Sequence, residues 1–414
     1  MGHCALRGRD LWNELTGGED IRGDKVLDVL TEQHYAREPH EFLLQDMVGE
    51  DDASDAIWGE SKFYDFCPVV FHALRQEAGF TPEEYLASIH GHQDDRDKLT
   101  TMVEKFSEGR SSSFFYFTHD KRFMVKTVTD DEQETMIEIL KKFCAHMANN
   151  PDTLINKIFG CHGIQLQGHK HIKMFLVMES VMWTGNSINY RFDLKGSWVD
   201  RSSYKGDKKA KLQEENANGK VENLMKDTDL KEIGFKVYVS LEEKTRLVNQ
   251  ITKDTALFQE YEPYGIMDYS LLLAEHRRSE ISTKHDPAVY HEVGYTPLHR
   301  RHEGGMKRQR RNADPAALNS IYYVGIIDIL QLYDEEKMGE NCAKGYLLCK
   351  GTHGISSVPP FEYRARYIKA MSDIFQAVDE DGNDIIDSPR IEGLEGHVPA
   401  EAEPQQTSVG LENV

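Results

Sequence analysis

Cysteine is scarce in this sequence, and long apolar runs are missing. Six cysteines are spread over 414 residues, and no two of them form a C-x-x-C pair or another zinc-type spacing. Dispersed cysteines are typical of a reducing compartment, which predicts a cytoplasmic protein. No window of eighteen or more residues is wholly apolar, which excludes a transmembrane helix. The first residues lack the basic-then-apolar profile of a signal peptide, so we expect none.

The negative charge is confined to the two ends of the chain. The formal net charge is −21, but residues 1–60 carry 15 acidic and 5 basic side chains, and residues 376–414 carry 10 acidic and one basic. The body between them is nearly neutral, whereas a nucleic-acid-binding domain should be strongly basic. We expect an acidic, partly ordered leader over 1–60, a folded domain over 61–375 and an acidic, disordered tail over 376–414.

One apolar stretch, Ile321–Leu330, contains a single carboxylate, Asp328. Its β-branched and aromatic residues predict a strand buried on both faces. Burying an unpaired carboxylate is costly, so Asp328 should meet a cation, a metal or several hydrogen-bond donors. The alternative is an aspartate just past the strand end that accepts hydrogen bonds where a turn starts. A second aspartate, Asp268, precedes another apolar run, with Ser270 two residues later.

A lysine, Lys126, lies inside a predicted strand, Phe123–Val128, which follows a predicted strand at Ser113–Thr118. Such a lysine is usually an edge residue whose amine reaches water. The alternative is a lysine that holds nucleotide phosphates and has a glutamate of the next helix as its partner. That helix, predicted over residues 132–147, offers Glu132, Glu134 and Glu138.

The segment Lys195-Gly-Ser-x-x-x-Arg201 combines two cations, a permissive glycine and a hydroxyl. This combination suits phosphate binding, although a solvated turn explains it equally well. Two polar stretches, residues 205–222 and 276–318, predict mobile loops. The second contains a basic cluster at residues 299–311, which is either an ordinary loop or a contact for anionic lipid or nucleic acid.

The order of these parts is that of a phosphoryl-transfer enzyme: a small-residue loop, a strand lysine, helical glutamates and two strand-end aspartates. The H-R-D, D-F-G and A-P-E motifs of protein kinases do not occur where such a kinase would have them. Four segments instead resemble those of the phosphatidylinositol phosphate kinase family. They are Met124-Val-Lys-Thr-Val128, Phe192-Asp-Leu-Lys-Gly-Ser197 with Arg201, Met267-Asp-Tyr-Ser-Leu-Leu272 and Gly325-Ile-Ile-Asp-Ile-Leu-Gln331. The resemblance covers roughly residues 60–375.

The resemblance implies an α+β, two-lobed kinase-like fold, with an antiparallel sheet in the N-lobe, an ATP cleft and a mixed α/β C-lobe. It implies ATP and Mg²⁺ as cofactors, Asp268 as the catalytic-loop aspartate and Asp328 as the magnesium ligand. Lys126 would contact ATP phosphates and Lys195 would assist. Further residues carried over for nucleotide binding are Ser112 and Ser113 of the small-residue loop, Met178 and Val181 facing adenine, and Glu134 as the chosen partner of Lys126.

The family's activation, or specificity, loop corresponds to residues 331–358. Lys337 matches the first of two usual lysines, and Met338 replaces the second. Glu340 resembles the subfamily that converts phosphatidylinositol 4-phosphate to the 4,5-bisphosphate. The alternatives are a kinase acting on phosphatidylinositol 5-phosphate and a catalytically silent scaffold. Lys344 and Arg201 are the other residues assigned to substrate contact.

The expected partner is a phosphoinositide in an anionic membrane. We expect peripheral association at the cytoplasmic face, most naturally of the plasma membrane, because clustered lysines and arginines attract anionic lipids. No nucleic acid is expected as a partner. A homodimer is an open alternative, since the sequence is silent on oligomeric state.

Overall fold

The computed structural model describes residues 2–19, 21, 25–43, 60–90, 114–259, 261, 265–277, 320–334, 337–338, 354–379 and 384–385. Its strands are β1 His40–Leu43, β2 Lys62–Phe66, β3 Phe115–Phe117, β4 Phe123–Thr127, β5 Ile158–Gln165, β6 Lys173–Glu179, β7 Tyr190–Leu194, β8 Met225–Lys226, β9 Val237–Val239, β10 Ser270–Arg277, β11 Ser320–Ile327 and β12 Phe375–Ala377. Its helices are α1 Gly2–Thr16, α2 Lys25–Val29, α3 Pro68–Glu77, α4 Pro82–His90, α5 Asp130–Asn149, α6 Lys208–Ala217, α7 Asp227–Glu232, α8 Leu241–Gln259 and α9 Pro360–Ile374, with a 3₁₀ helix at Glu32–Tyr35. None of these helices is long and apolar enough to cross a membrane.

The first sheet has six strands in the order β1-β2-β5-β6-β4-β3, and every neighbouring pair is antiparallel. Helix α5 packs beside it and begins at a capping box, in which Thr129 and Glu132 satisfy each other's backbone N–H groups. Its apolar side chains recur at helical spacing, with Met136, Leu140 and Phe143 fully buried. Strand β4, which directly precedes α5, is held in the sheet by pairing with β3 and β6, with Lys126 near its end.

The second sheet has four strands in the order β11-β10-β7-β8. Strands β10 and β11 are antiparallel and buried along most of their length, as their apolar sequences predict. The segment between α5 and β5 runs alongside β11, because Asn156 N donates to Ile326 O (2.8 Å) and Ile326 N donates to Leu154 O (2.7 Å). These hydrogen bonds join the two sheets next to the end of β11 that precedes Asp328.

Helix α9 packs against α8, and the segment that follows α9 forms β12, which pairs in parallel with β9. Three tyrosine rings pack together where α9 meets the residue before β10. The centre of the Tyr269 ring lies 4.8 Å from that of Tyr363 and 4.9 Å from that of Tyr367. All three are buried. A fully antiparallel six-stranded sheet and a four-stranded sheet in which only β7 and β8 are parallel, both with helices packed beside them, agree with the expected α+β class.

The boundaries predicted from charge need correction. Within the predicted leader, α1 packs on α3 and buries Trp12 completely, while β1 pairs with β2 as the edge of the first sheet. Within the predicted tail, Val378 forms a bridge to Asp384 directly after β12. The polar stretch at 205–222 contains helix α6 rather than a loop, because Leu212 is buried and Glu215 accepts a hydrogen bond from Tyr204 (2.6 Å). Of the loop predicted over 276–318, the first two residues belong to strand β10, and residues 278–318 lie outside the described residues.

Candidate active site

The predicted residues Lys195, Asp268 and Asp328 lie at one end of the second sheet. Ser270 at the start of β10 pairs with Ile327 at the end of β11, and Leu271 pairs with Leu194 at the end of β7. Each of the three residues is therefore one or two positions beyond a paired strand end. Both aspartates adopt left-handed backbone conformations, with φ of 64° at Asp268 and 59° at Asp328. Such conformations cost energy and concentrate at functional sites.

Lys195 and Asp268 form an ion pair, with Lys195 Nζ 2.8 Å from Asp268 Oδ2. The other oxygen, Asp268 Oδ1, is buried and accepts no hydrogen bond from the described part of the chain. Burial disfavours the charged amine of Lys195, but the carboxylates around it outweigh burial and raise its pKa. Lys195 is therefore a fixed cation at the position predicted for phosphate contact.

Lys126 reaches the same strand ends from the first sheet. Its Nζ lies 2.7 Å from Asp328 Oδ1 and 3.9 Å from Glu132 Oε1. Burial opposes protonation of Lys126, but the charges of Asp328 and then Glu132 overcome it and raise the pKa of the amine. The carboxylate at the end of β11 thus meets a cation, which is one of the outcomes expected for Asp328.

The choice of Glu134 as the partner of Lys126 was wrong. Glu134 is exposed on α5, whereas Glu132 turns back toward the helix start as the third residue of the capping box. That box places Glu132 beside the end of β4, where Lys126 is. The Thr-x-x-Glu spacing from Thr129 was a sequence signal that favoured Glu132.

Arg201 was predicted to contact substrate, and the structure corrects this as well. The side chain is buried: its Nε donates to Asp227 Oδ2 (2.8 Å), and its Nη2 to Asp193 Oδ1 (2.9 Å). Burial works against its charge, yet these two carboxylates raise the pKa of Arg201. With Nε and Nη2 bonded to these aspartates and the side chain buried, Arg201 supports the turn that carries Lys195 instead of facing a ligand.

Asp227 is a residue supporting the candidate site that the sequence did not reveal. Its Oδ1 accepts hydrogen bonds from the backbone N–H groups of Lys195 (3.0 Å) and Gly196 (2.8 Å). Burial raises the pKa of Asp227, against the opposing effect of Arg201. Asp227 thereby shapes the turn that carries Lys195. Nothing in its local sequence marks it, because its partners lie 26 to 32 residues earlier.

Met178 and Val181, the two residues predicted to face adenine, lie in different surroundings. Met178 lies within β6, where its neighbours across the sheet are Met124 and Ile158. Val181 follows β6 and lines a cavity of about 30 Å³ between the sheets. A Cβ added at Gly325 would lie 2.6 Å from Val181 Cγ2, so Gly325 is needed for this close approach.

Several predicted residues lie outside the described ranges or at their margins. Ser112, Ser113, Glu340 and Lys344 fall outside them. Lys337 is described, and its backbone N–H donates to Asp334 Oδ1 (2.9 Å) in the short turn after β11. Its side chain is partly exposed. The roles assigned to these residues stay predictions.

The donor set suits a magnesium-bound nucleotide. Among the described residues, no three histidine, cysteine or carboxylate side chains form a metal cluster. Mg²⁺ is usually held by one or two carboxylates, water and substrate phosphates, so such a cluster is not required. Asp328 and the unpartnered Oδ1 of Asp268 supply carboxylate oxygens, and Lys126 and Lys195 supply cations for phosphate.

Comparison with known proteins matches residues 97–374 to the model of a family described as Phosphatidylinositol-4-phosphate 5-Kinase. A probable phosphatidylinositol phosphate kinase of Dictyostelium discoideum is 27% identical over 77% of this chain and 48% of its own length. A phosphatidylinositol 4-phosphate 5-kinase of Schizosaccharomyces pombe is 29% identical over 80% of this chain and 48% of its own length. The Arabidopsis thaliana phosphatidylinositol 4-phosphate 5-kinase 7 is 36% identical over 52% of this chain and 25% of its own length. The chain thus spans half or less of these relatives.

Proposed function

The chain belongs to the phosphatidylinositol-4-phosphate 5-kinase family, and from this we propose that it transfers the terminal phosphate of ATP to the 5-hydroxyl of phosphatidylinositol 4-phosphate. The observation that carries the proposal is the meeting of two lysine–aspartate pairs at one place. Lys126 with Asp328 spans the two sheets, and Lys195 with Asp268 lies within the second. Phosphoryl transfer needs cations for phosphate, a carboxylate for the metal and a carboxylate near the acceptor hydroxyl.

In this proposal, the two sheets are the lobes of a kinase, with ATP between them. Lys126, supported by Glu132, contacts phosphate from the first sheet, and Lys195 contacts it from the second. Val181 and the neighbouring backbone face the adenine ring. Asp328 holds Mg²⁺, which when bound neutralises phosphate charge.

Asp268 accepts the proton of the attacking inositol hydroxyl. Its strained backbone conformation, fixed beside β10, aims the carboxylate at the strand ends, where the hydroxyl must approach phosphate. Lys195 holds the Asp268 carboxylate in place until phosphate competes for its amine. The described residues thus provide positioning and charge, which are the main contributions that a protein makes to this reaction.

The 4-phosphate substrate is proposed from Glu340 and from the names of the relatives. We further propose that the protein binds reversibly to the cytoplasmic face of an anionic membrane, because its lipid substrate resides there. The basic residues at 299–311 and Lys344 would contribute to this attraction.

Radiolabelled phosphate transfer onto liposomes carrying either phosphatidylinositol 4-phosphate or its 5-phosphate isomer tests the proposal. Asp328→Asn should abolish transfer, whereas Asp207→Asn, at an exposed residue of the same type, should retain it. Glu340→Ala should weaken the preference for the 4-phosphate. A well-folded wild type that phosphorylates neither lipid would contradict the enzymatic proposal and favour a scaffold. Preference for the 5-phosphate would contradict the choice of substrate only.

A further inference from the structure

One face of helix α9 lies directly beneath the segments that carry Lys195 and Asp268. Tyr363 and Arg366 are three residues apart on α9 and so share a face, and the Arg366 guanidinium lies 5.4 Å from the centre of the Tyr363 ring. The Tyr363 hydroxyl donates a hydrogen bond to the backbone carbonyl of Tyr269. This carbonyl belongs to the residue immediately after Asp268.

Arg366 makes two hydrogen bonds to different parts of the site. Its Nη2 donates to Ser197 Oγ (2.9 Å), two residues after Lys195, and its Nη1 donates to Ile355 O (2.8 Å). Ile355 lies near the end of the segment that follows Asp328. We call residues 195–197 the lysine turn. One side chain of α9 therefore joins the lysine turn to Ile355, near the far end of the predicted specificity loop.

The lysine turn is held by Asp227 and by helix α9. From one side, Asp227 accepts the backbone N–H groups of Lys195 and Gly196. From the other, α9 approaches so closely that a Cβ at Gly196 would lie 3.0 Å from Ala370 Cβ and 3.3 Å from Arg366 O. Such contact leaves the turn little freedom to shift relative to α9.

We infer that Arg366 is a positioning residue for phosphate transfer, acting through Ser197 and Ile355 to hold the lysine turn in register with the described residues 354–358. The inference rests on the proposed function. Arg366 does not touch the reacting atoms. Its loss would release Ser197 and misplace Lys195, and small misplacements of a positioning group cost large factors in rate.

Helix α9 also carries a matched control. Arg364 donates to Thr252 O (2.8 Å), Thr255 Oγ1 (3.1 Å) and Gln259 Oε1 (3.2 Å), so it anchors α9 to α8 rather than to the site. Burial lowers the pKa of both Arg364 and Arg366, so the two side chains share a partly buried setting. If only the Arg366 variant loses activity, a general weakening of the packing of α9 does not explain the loss.

The experiment measures kcat and KM for ATP, with a soluble short-chain phosphatidylinositol 4-phosphate, alongside thermal melting. Arg366→Ala should lower kcat at least tenfold while changing KM for ATP by less than about twofold, because Lys126, Val181 and Asp328 are proposed to bind ATP and its metal from outside the turn that carries Lys195. Arg364→Ala should lower the melting temperature at least as much but retain kcat within about threefold. Arg366→Lys should recover part of the rate, since one ammonium reaches only one of the two acceptors at a time.

Ser197→Ala keeps the test decisive if Arg366→Ala fails to fold, because it removes only the acceptor and should lower kcat in the same direction. Unchanged kcat in Arg366→Ala, or in Ser197→Ala where that variant replaces it, would overturn the inference. Equal losses of kcat in Arg364→Ala and Arg366→Ala would also overturn it. A wild type without transfer would overturn the proposed function and this inference together, whereas an active wild type with an insensitive Arg366 would overturn the inference alone.

Discussion

Replacing Gly196 by alanine should destabilise the protein through two separate costs. Gly196 has a φ of 66°, in the left-handed region where a Cβ meets the following carbonyl oxygen. That conformation costs about 1–2 kcal/mol for an L residue with a side chain. The new Cβ would also lie 3.0 Å from Ala370 Cβ and 3.3 Å from Tyr367 Cα. Overpacking of this kind costs about 1–3 kcal/mol, so the total is about 2–5 kcal/mol.

Gly234 provides the control that separates the two costs. Its φ is 62°, almost the same as at Gly196, but no atom lies within 4 Å of where its Cβ would be. Gly234→Ala should therefore show only the backbone cost of about 1–2 kcal/mol. Urea unfolding followed by circular dichroism measures both changes in the free energy of unfolding.

The difference in the free energy of unfolding between the two variants tests the packing argument. A Gly196→Ala variant at least 1 kcal/mol less stable than Gly234→Ala would agree with a turn pressed against α9. Equal destabilisation would refute the packing argument, because the backbone cost alone would then account for both. Phosphate transfer gives a second readout: Gly196→Ala should lose activity at temperatures where it is still folded, whereas Gly234→Ala should not.

Three further predictions follow from individual contacts. Glu132→Gln keeps the capping box but removes the charge near Lys126, so kcat/KM for ATP should fall about fivefold, which corresponds to about 1 kcal/mol. Glu134→Gln should leave kcat/KM unchanged, and equal effects of the two variants in a steady-state assay would contradict the pairing of Lys126 with Glu132. Arg201→Met leaves its carboxylate partners buried without their guanidinium, so the free energy of unfolding measured in urea should fall by about 3–5 kcal/mol. A stable variant with a raised KM for lipid would instead support the original prediction that Arg201 contacts substrate. Burial, with smaller effects from nearby arginines, lowers the pKa of His72 to about 3 from 6.5, so the folded protein keeps this ring neutral while the unfolded chain takes up a proton. Through this ring, the free energy of unfolding should fall by up to about 1.4 kcal/mol per pH unit as the pH drops from 6.5 toward 3. His72→Phe should weaken the pH dependence of stability measured between pH 7 and pH 5. An unaltered pH dependence would contradict the role given to His72.

The sequence predicted the parts of the site that depend on local pattern. Asp328 stood out because it interrupts an apolar run, and Lys126 because it lies inside a strand. Antiparallel pairing then brought Lys195, Asp268 and Asp328 to one sheet end. Burial cost and strand periodicity act over a few residues, so a single sequence is enough to reveal them.

The parts that the sequence missed depend on distant partners. Arg201 looked like a phosphate ligand because its neighbours are Lys195, Gly196 and Ser197, yet its charge is satisfied by Asp193 and Asp227. Proximity in the chain could not distinguish an exposed guanidinium from a buried one. The family motif was therefore sound as a pattern, while this residue's role was set by tertiary contacts.

Helix α1 was missed for a different reason. Its segment is polar on average, and a single large side chain, Trp12, supplies much of what it buries against the rest of the fold. A stripe that narrow is hard to recognise as amphipathic. The net negative charge of residues 1–60 pointed toward disorder, although charge on the outer face of a helix does not prevent the inner face from packing.

The antiparallel register of β10 and β11 also places the candidate site at the end of the strand pair that lies away from residues 278–319. Ser270 and Ile327 pair beside the site, whereas Arg277 and Ser320 pair at the opposite end, seven residues away, or about 24 Å at 3.4 Å per residue. Residues 278–319 join those far ends, so residues added there would enter the chain seven positions away from the pairs beside Asp268 and Asp328. This connection is accordingly the place to insert a fluorescent reporter domain, and the position at which we expect related chains to tolerate additions.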